Sequence, residues 1–574
     1  MIKNLLKLFS YNEKIILFFL ILIFILFSIL DIFGLYLLSI GISGIFDQNN
    51  IYYFYDNLNK ININFLTNWS LNNFYLFILI FFLFKNIFFY TFYYWQANFI
   101  ANVSSSISSK LFKKFLNIDY IKFIKLDIAE NSKNLTNDVS RSIQLIGIIN
   151  IFVKEIFLLL LIILIMFYVN LNFFLSATTL IFFLLLIFKI LYSNKLKNFG
   201  NLNQYYAAKQ IKRILDTFNL FVEIKLYNLV RYFYLRFKAE SYKKEISEQK
   251  LNLIINIPRL VVEVFFVILL YLFFNFFTKD NINIVINDLS LLVILSLRTI
   301  PSIISLNRSL FDLKFCKPSL DILVKKFDQS KKFDHSKFSS ALEKKLIANE
   351  EIFAFKKNIV FHNVSFSYSN NKRILNNINF QIKKNQIIGI EGESGSGKTT
   401  LLLLLFGFIK PSTGKILVDN LDISKFKYEW KKKISFAPQD TILINDSLYE
   451  NIAFKSELSK LEKKEIDAAL KISTSEKFLK KTYSNTMIED KGLNFSGGQK
   501  KRLGLARAIY QKRDLYIFDE PTSFLDNNTS DIILKKLKLF LLDKTSIIVS
   551  HNEKFLKLCD KIYHLKNGKL FLKK

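Results

Sequence analysis

Six long apolar runs occupy the first 304 residues and restrict what this chain can fold into. They cover residues 15–46, 71–99, 149–169, 173–192, 253–277 and 284–304. At a rise of about 1.5 Å per residue, each run is long enough to cross a hydrocarbon core of about 30 Å. The sequence therefore predicts an α-helical membrane domain with six transmembrane helices.

Basic residues are unevenly distributed between these runs. Residues 101–148 and 193–252 are rich in Lys and Arg, whereas residues 47–70 and 278–283 contain only Lys60 and Lys279. Because positive residues near span ends stay on the cytoplasmic side, we expect both termini and both basic segments to be cytoplasmic. The basic segments contain no Pro and little Gly, which favours helical extensions of the spans over separate domains.

The composition agrees with a membrane domain and excludes several classes of protein. Hydrophobic residues make up 51% of the chain, which is too apolar for a disordered protein or an ordinary soluble enzyme. The net charge of +32 is spread along the chain rather than gathered in a patch, so we predict no nucleic-acid partner. Cys316 and Cys559 lie too far apart in sequence to suggest a disulfide framework or a metal site.

The hydrophobic pattern changes in the second half of the chain. Short apolar stretches at 359–365, 387–391, 515–518 and 546–550 alternate with helical patterns. Alternating strands and helices predict an α/β domain with a largely parallel sheet. We therefore predict a transmembrane domain at 1–322, a linker rich in Lys, Ser and Glu at 323–355, and an α/β domain at 356–574.

A glycine-rich segment follows the stretch 387–391 and precedes a helix-like run. It reads GESGSGKT and fits the phosphate-loop pattern GxxxxGK[ST] in the required order of strand, loop and helix. Its glycines allow backbone N–H groups to surround phosphates at a helix N-terminus, where the helix dipole favours negative charge. We expect Lys398 to hold the β- and γ-phosphates and Thr399 to ligate Mg²⁺. The predicted contacts to the nucleotide are Gly392, Glu393, Ser394, Gly395, Ser396, Gly397, Lys398, Thr399 and Thr400.

Two carboxylates end the apolar stretch 515–518. A buried strand would deliver Asp519 to the metal ion and place Glu520 beside the γ-phosphate. Glu520 could there orient or deprotonate a water molecule. Carboxylates at a strand end are common, so this pattern depends on the phosphate loop for its meaning.

A third motif resembles the LSGGQ signature of ATP-binding cassette (ABC) proteins. It begins with Phe495 in place of the usual Leu and continues through Ser496, Gly497, Gly498 and Gln499. Other elements of that family follow in the expected order. Tyr368 resembles the aromatic residue that stacks on adenine, Gln439 the Q-loop glutamine that reaches the metal, residues 523–526 the D-loop, and His551 the switch histidine.

This resemblance implies a nucleotide site shared between two cassettes. In the family, two cassettes pair head to tail, and each ATP lies between the phosphate loop of one and the signature of the other. The resemblance thus implies ATP and Mg²⁺ as ligands, a homodimer, and a catalytic set of Lys398, Gln439, Glu520 and His551. An alternative is a protein that uses its cassettes only for gating, but intact Glu520 and His551 favour ATP turnover.

Six spans followed by one cassette resemble the half-transporter layout of ABC exporters. In these proteins the tips of two cytoplasmic loops dock on the cassettes, and the order of segments places those tips near residues 127–134 and 223–228. Residues 490–491 resemble the segment that meets them. The alternative for these loop residues is ordinary solvated helix surface.

Charged residues inside the spans indicate the nature of the cargo. Lys85, Arg259 and Arg298 would form a basic ring in a homodimer, suited to a phosphate or pyrophosphate group. Arg259 could instead pair with Glu263 one turn later. Lys154 and Lys189 lie nearer span ends, where snorkelling to the interface explains them.

Short stretches at 30–34, 153–156, 223–227 and 257–263 resemble bacterial lipid-linked oligosaccharide flippases. The resemblance implies ATP-driven flipping of a polyprenyl-pyrophosphate oligosaccharide from the cytoplasmic to the outer face of the bacterial inner membrane. The aromatic segment 51–58 could form an interfacial helix that contacts the lipid tails, or a simple surface anchor. Export of a lipid A core, a drug or a peptide remains an alternative.

Overall fold

The computed structural model describes residues 1–46, 71–169, 198–277, 282–331, 354–368, 373–479, 487–488, 492 and 494–573. The chain divides into two compact units. The first contains Met1–Ile118 and Lys125–Phe333, and the second contains Asp119–Ile124 and Asp334–Lys574.

The first unit is helical. Its helices are α1 (Ile2–Leu6), α2 (Tyr11–Phe46), α3 (Leu71–Leu116), α5 (Ile128–Lys133), α6 (Val139–Val169), α7 (198–219), α8 (Phe221–Leu226), α9 (Val230–Phe277) and α10 (Ile282–Lys331). A π-helical turn, Asn134–Asp138, joins α5 to α6. The basic segments between spans are therefore largely helical over their described residues, as the sequence predicts.

Three of the described helical stretches are long and apolar enough to cross a membrane. They are Tyr11–Ile42, Asn72–Leu116 and Ile128–Ile165. The predicted runs at 253–277 and 284–304 are also helical, within α9 and α10. The predicted span at 173–192 and the aromatic segment 51–58 lie outside the described residues.

The first unit has buried apolar side chains between its helices and further apolar side chains exposed on its outer surface. Leu20 on α2, Ile143 on α6 and Leu320 on α10 are fully buried in one cluster. On α3, by contrast, Phe84 and Ile87 are exposed. Exposed apolar side chains on a long helix are what a lipid-facing surface requires.

The last helix of this unit extends further than the sequence suggests. α10 continues to Lys331, with Pro301 and Pro318 inside it, and Leu323 is fully buried. The segment predicted to be a linker from residue 323 thus begins as packed helix. Residues 332–353 lie outside the described part of the chain.

The second unit contains two sheets. Its strands are β1 (Asn358–Ser367), β2 (Arg373–Lys383), β3 (Ile387–Glu391), β4 (Thr413–Val418), β5 (Leu421–Asp422), β6 (Ile434–Ala437), β7 (Leu515–Asp519), β8 (Thr545–Val549), β9 (Lys561–Lys566) and β10 (Lys569–Leu572). One sheet has the order β10-β9-β3-β8-β7-β6, and its pairs are parallel except for β10 with β9. The other has the order β2-β1-β4-β5 and is antiparallel.

The α-helices described in this unit lie before and between its strands. They are α4 (Tyr120–Ile124), α11 (Lys398–Leu405), α12 (Lys427–Lys431), α13 (Leu448–Ala453), α14 (Lys460–Ile472), α15 (Gly497–Tyr510), α16 (Asn527–Phe540) and α17 (Glu553–Leu556). Leu402 and Leu404 of α11 pack with Phe361 of β1 and Ile517 of β7 in one buried cluster. Because β3, β7 and β8 are parallel neighbours, the residues that follow them meet at one edge of the sheet, where ligands bind in α/β folds.

Asp119 and the five residues of α4 bear on one expectation. They come from the basic segment between the second and third predicted spans but belong to the second unit. Tyr120 stacks on Phe408, with ring centroids 5.5 Å apart. Asp119–Ile124 thus packs within the second unit, whereas helix α5, inside the predicted tip 127–134, belongs to the first unit.

Candidate functional site

The phosphate-loop motif forms the predicted turn between β3 and α11. Gly397 is the N-cap of α11 and has a φ of +108°, a left-handed conformation that favours glycine. The hydroxyl oxygen of Ser396 is buried without a hydrogen-bond partner among the described residues. A left-handed turn, a helix N-terminus and an unsatisfied hydroxyl donor fit a phosphate group.

Three predicted catalytic side chains converge next to this turn. The Nζ of Lys398 lies 3.2 Å from Nε2 of His551 and also donates to the carbonyl oxygens of Gly392 and Glu393. Nε2 of His551 lies 3.8 Å from Oε1 of Glu520. Burial lowers the pKa of Lys398, and the nearby carboxylates of Glu520 and Asp519 oppose this shift.

Glu520 is held in an unusual backbone conformation. Its φ is +49°, in the left-handed region that a residue with a side chain rarely adopts. Its N–H donates to the carbonyl of Val549 on β8 at 2.8 Å. The neighbouring strand therefore fixes this conformation, and strain of this kind is common at functional sites.

Asp519 ends β7 beside a buried lysine that sequence analysis overlooked. Burial raises the pKa of the Asp519 carboxyl, an effect that Lys501 opposes and Glu520 reinforces. Burial lowers the pKa of Lys501 to about 8, against the opposing effects of Asp519, Glu520 and Asp440. Asp519 is thus in a setting where a cation, such as the predicted Mg²⁺, would favour its charged form.

The signature motif begins α15. Ser496 is the N-cap, its Oγ accepts from the N–H of Gln499 at 3.2 Å, and Oε1 of Gln499 accepts from the N–H of Ser496 at 2.9 Å. This capping box gives the Gln499 side chain a structural role within its own cassette. Of the predicted signature contacts, Ser496 and Gly497 are exposed.

The remaining predicted residues lie around the same unit. Gln439 follows β6 and is exposed, and Asp526 of the D-loop is the N-cap of α16. Tyr368 follows β1 and is 48% exposed, with its ring edge-on to the buried Phe366 at 4.9 Å. The predicted segment 490–491 lies outside the described residues.

Gly504 allows α15 to approach the residues after the Q-loop closely. A Cβ at this position would lie 2.1 Å from Oγ1 and 3.1 Å from Cγ2 of Thr441. We expect Gly504→Ala to destabilise the protein, because overpacking costs about 1–3 kcal/mol whereas the gain in helix propensity is about 1 kcal/mol. Thermal unfolding of the purified chain checks this, and Thr441→Ala in the same chain should restore most of the loss. A Gly504→Ala variant as stable as wild type would refute the close contact.

A buried charge centre lies among four helices of the first unit. Oδ1 of Asp31 on α2 lies 3.1 Å from Nζ of Lys85 on α3. Oδ2 of Asp31 lies 3.3 Å from Nζ of Lys154 on α6 and 2.6 Å from Nη2 of Arg298 on α10. Asp31, Lys85 and Lys154 are each less than 9% exposed. Three cations thus share one carboxylate.

The charge centre bears on two expectations. Lys85 and Arg298, for which the sequence predicts a basic ring in a homodimer, share the counter-ion Asp31 within one chain. Lys154 does not snorkel to an interface, because it is buried and paired with Asp31. The side chain of Arg259 lies outside the described residues. Glu155, also buried, has one carboxylate oxygen without a hydrogen-bond partner in the described part of the chain. Among the described residues, the three cations therefore outnumber Asp31 and Glu155 together by one.

Comparison with known proteins accounts for both units. The family profile described as "ABC transporter transmembrane region" matches residues 17–297, and that described as "ABC transporter" matches residues 375–523. A solved structure described as a bacterial Atm1-family ABC exporter with ATP bound has a TM-score of 0.69 over 97% of this chain and 94% of that chain, at 18% identity. The chain has the domain architecture of an ABC exporter half-transporter.

Two curated relatives align with a shorter stretch of this half-transporter. The alpha-hemolysin translocation ATP-binding protein HlyB of Escherichia coli O157:H7 is 39% identical over 214 residues, 37% of this chain and 30% of that protein. ABC transporter B family member 29, chloroplastic, of Arabidopsis thaliana is 32% identical over 238 residues, 40% of this chain and 38% of that protein. The half-transporter thus aligns with less than two-fifths of each relative.

Sequence reasoning missed three features of this half-transporter. Lys501 occupies the buried face of α15, three residues from both Gly498 and Gly504, so helical spacing could have indicated its burial. Asp31 stands in a short motif, and nothing in the sequence shows which distant cations pair with it. Tyr120 lies in a short helix between basic segments and carries no motif.

Proposed function

We propose that this protein is an ATP-driven exporter that acts as a homodimer and hydrolyses ATP with Mg²⁺. The convergence of Lys398, His551 and Glu520 beside the phosphate-loop turn supports this proposal most directly. A turn that surrounds phosphates, a cation beside it and a carboxylate at its edge are the groups that phosphoryl transfer requires.

Each predicted side chain has a distinct part in hydrolysis. Lys398 would neutralise charge on the β- and γ-phosphates, and Glu520 would orient the attacking water or accept its proton. Thr399, Gln439 and Asp519 would hold Mg²⁺. When bound, the ion would neutralise the charge that develops on the phosphate oxygens. His551, 57% exposed at its side chain, would add a contact near the transferred group.

We infer that two copies assemble around ATP. The capping box at Ser496 presents the N-terminus of α15, with its free backbone N–H groups, at the cassette surface. An exposed helix N-terminus suits the triphosphate of a partner copy. Opening and closing of the pair would follow the presence of the γ-phosphate, since a ligand shifts an equilibrium only through unequal affinity for two states.

The cargo we propose is anionic and lipid-linked. Among the described residues, Lys85, Lys154 and Arg298 carry more positive charge than Asp31 and Glu155 together, and a charge without a counter-ion within a membrane domain is costly. An anion such as a pyrophosphate would supply the missing charge. With the motif resemblance, this favours flipping of a polyprenyl-pyrophosphate oligosaccharide to the outer face of a bacterial inner membrane, with the cassette and both termini cytoplasmic.

Reconstitution tests this proposal. Full-length protein in liposomes should move a fluorescent polyprenyl-pyrophosphate glycan across the bilayer only when ATP and Mg²⁺ are supplied on the cassette side. Liposomes with Glu520→Gln protein provide the matched control. ATP hydrolysis without glycan movement would refute the cargo, and absence of hydrolysis would refute the ATPase.

Export of a polypeptide is a second candidate. It is favoured by the 39% identity to a protein named for alpha-hemolysin translocation. A polypeptide cargo does not require a buried excess of positive charge, which is why we place it second. ATP-dependent uptake of a labelled polypeptide into the same liposomes, without glycan movement, would reverse this order.

Tyr368 is expected to bind the adenine ring. Its exposed ring rests on the buried Phe366, which fixes its orientation. Because aromatic stacking contributes about 0.5–1.5 kcal/mol, Tyr368→Ala should raise the KM for ATP about 2–10-fold and leave kcat nearly unchanged. Tyr368→Trp is the matched control and should retain the wild-type KM. An unchanged KM in the Ala variant would exclude stacking.

A further inference from the structure

Lys501 is buried in an unusual place for an ammonium group. It is the fifth residue of α15 and is 2% exposed. Lysine is almost never fully buried unless its charge has partners. The surroundings of this side chain therefore show what it contributes.

The ammonium group makes three hydrogen bonds to backbone carbonyls. Its Nζ donates to Pro438 at 2.8 Å, to Gln439 at 3.0 Å and to Asp519 at 2.6 Å. A lysine has three N–H donors, so all of them are satisfied. One side chain thus joins the signature helix, the turn after β6 and the end of β7.

Two glycines on the same face of α15 bring the helix close to neighbouring segments. The backbone of α15 at Gly504 packs directly against Thr441, two residues after Gln439. At Gly498 a Cβ would lie 2.7 Å from the carbonyl oxygen of Phe524 in the D-loop. A shift of α15 must therefore move these segments with it or break the hydrogen bonds of Lys501.

We propose that Lys501 is a positioning residue for ATP hydrolysis, which fixes Gln439 and Asp519 relative to the signature helix by holding their carbonyl oxygens. The proposal rests on the ATPase function inferred above. Lys501 itself points its donors at backbone oxygens, so it acts through the side chains of the residues it holds. Its charge also lies among the carboxylates of Asp519, Glu520 and Asp440.

The chemistry requires lysine in particular. Methionine matches the length and apolar stem but has no donor, and glutamine has two N–H donors on a shorter side chain. Because displacement of catalytic groups by about 1 Å can cost about 100-fold in rate, Lys501→Met should lower kcat at least about 10-fold. Lys501→Gln should retain part of the activity.

The test uses the full-length protein in detergent, with three readouts besides kcat. These are the Mg²⁺ concentration at half-maximal ATPase activity, binding of a fluorescent ATP analogue in EDTA and in increasing Mg²⁺, and the thermal unfolding midpoint. For Lys501→Met we expect a lower kcat and a higher Mg²⁺ requirement, with metal-free nucleotide binding within about 2-fold of wild type, because Lys501 donates its hydrogen bonds to Pro438, Gln439 and Asp519 and not to the phosphate loop. Lys464→Met, at an exposed lysine of α14, is the matched control.

Two results would overturn the proposal. A Lys501→Met protein with unchanged kcat and Mg²⁺ requirement would show that the hydrogen bonds of Lys501 do not position Gln439 and Asp519 for hydrolysis. A protein that loses metal-free nucleotide binding and thermal stability as fully as activity would show a purely structural role. If wild-type protein failed to hydrolyse ATP, the ATPase proposal would fall, and the Mg²⁺ dependence of nucleotide binding in Lys501→Met would still decide whether Lys501 positions the metal ligands.

Discussion

Glu520→Gln protein is expected to bind ATP as wild type does and to hydrolyse it at least about 100-fold more slowly. The substitution keeps the size and one acceptor of the side chain but removes the charge 3.8 Å from Nε2 of His551. The backbone of Glu520 is held by Val549, so the strained turn should persist without the carboxylate. Loss of activity would then report the loss of a base rather than a rearranged loop.

The measurements are single-turnover hydrolysis and equilibrium binding of ATP, with the oligomeric state recorded in ATP and Mg²⁺. We expect Glu520→Gln protein to accumulate as a nucleotide-bound dimer, because the step that separates the copies is blocked. Glu553→Gln, at an exposed carboxylate of α17, is the matched control and should be indistinguishable from wild type. Retention of more than about a tenth of wild-type turnover by Glu520→Gln would exclude Glu520 as the base.

The strands that carry the nucleotide motifs were predictable from sequence. The apolar stretches 387–391 and 515–518 correspond to β3 and to most of β7, because short β-branched and aromatic runs before polar turns have few alternatives. The antiparallel sheet was not predicted. In β2 the alternation of Ile378, Phe380 and Ile382 with polar residues signals a half-buried strand, but its pairing with β1 depends on contacts that local sequence does not determine.

Charge pairing was the least predictable property. Lys154 and Lys85 are both charges within apolar runs, yet their positions along those runs predict snorkelling for Lys154 and a cavity-facing role for Lys85. Both lysines pair with Asp31, as does Arg298. Asp31 is 54 residues from Lys85 and 267 residues from Arg298 along the chain. Which face of a helix meets which neighbour is set by packing of the whole bundle, so such a centre can be found only from tertiary structure.

Replacing Arg298 with Ala is expected to abolish glycan flipping while basal ATP hydrolysis stays within about 2-fold of wild type. The Arg298 side chain is 27% exposed, against 9% for Lys85 and 8% for Lys154. Its Nε has no hydrogen-bond partner among the described residues. Arg298 is thus the cation of the centre best placed to bind an anion, and hydrogen bonds to charged groups contribute about 1.5–3 kcal/mol, which corresponds to about 10–100-fold in affinity.

Lys85→Ala should also lose flipping, with an added loss of thermal stability that Arg298→Ala does not share. Lys85 is buried and its Nζ lies 4.5 Å from the Phe82 ring centroid, so truncation leaves a cavity as well as a missing charge.

Arg308→Ala is the matched control for both variants, since Arg308 lies on the same helix as Arg298 and its side chain is 72% exposed. The readouts are glycan flipping in liposomes, stimulation of ATPase activity by polyprenyl-pyrophosphate, and thermal unfolding. If Arg298→Ala and Lys85→Ala proteins flip the glycan as wild type does, the charge centre serves only to hold α2, α3, α6 and α10 together, and the anionic cargo must be abandoned.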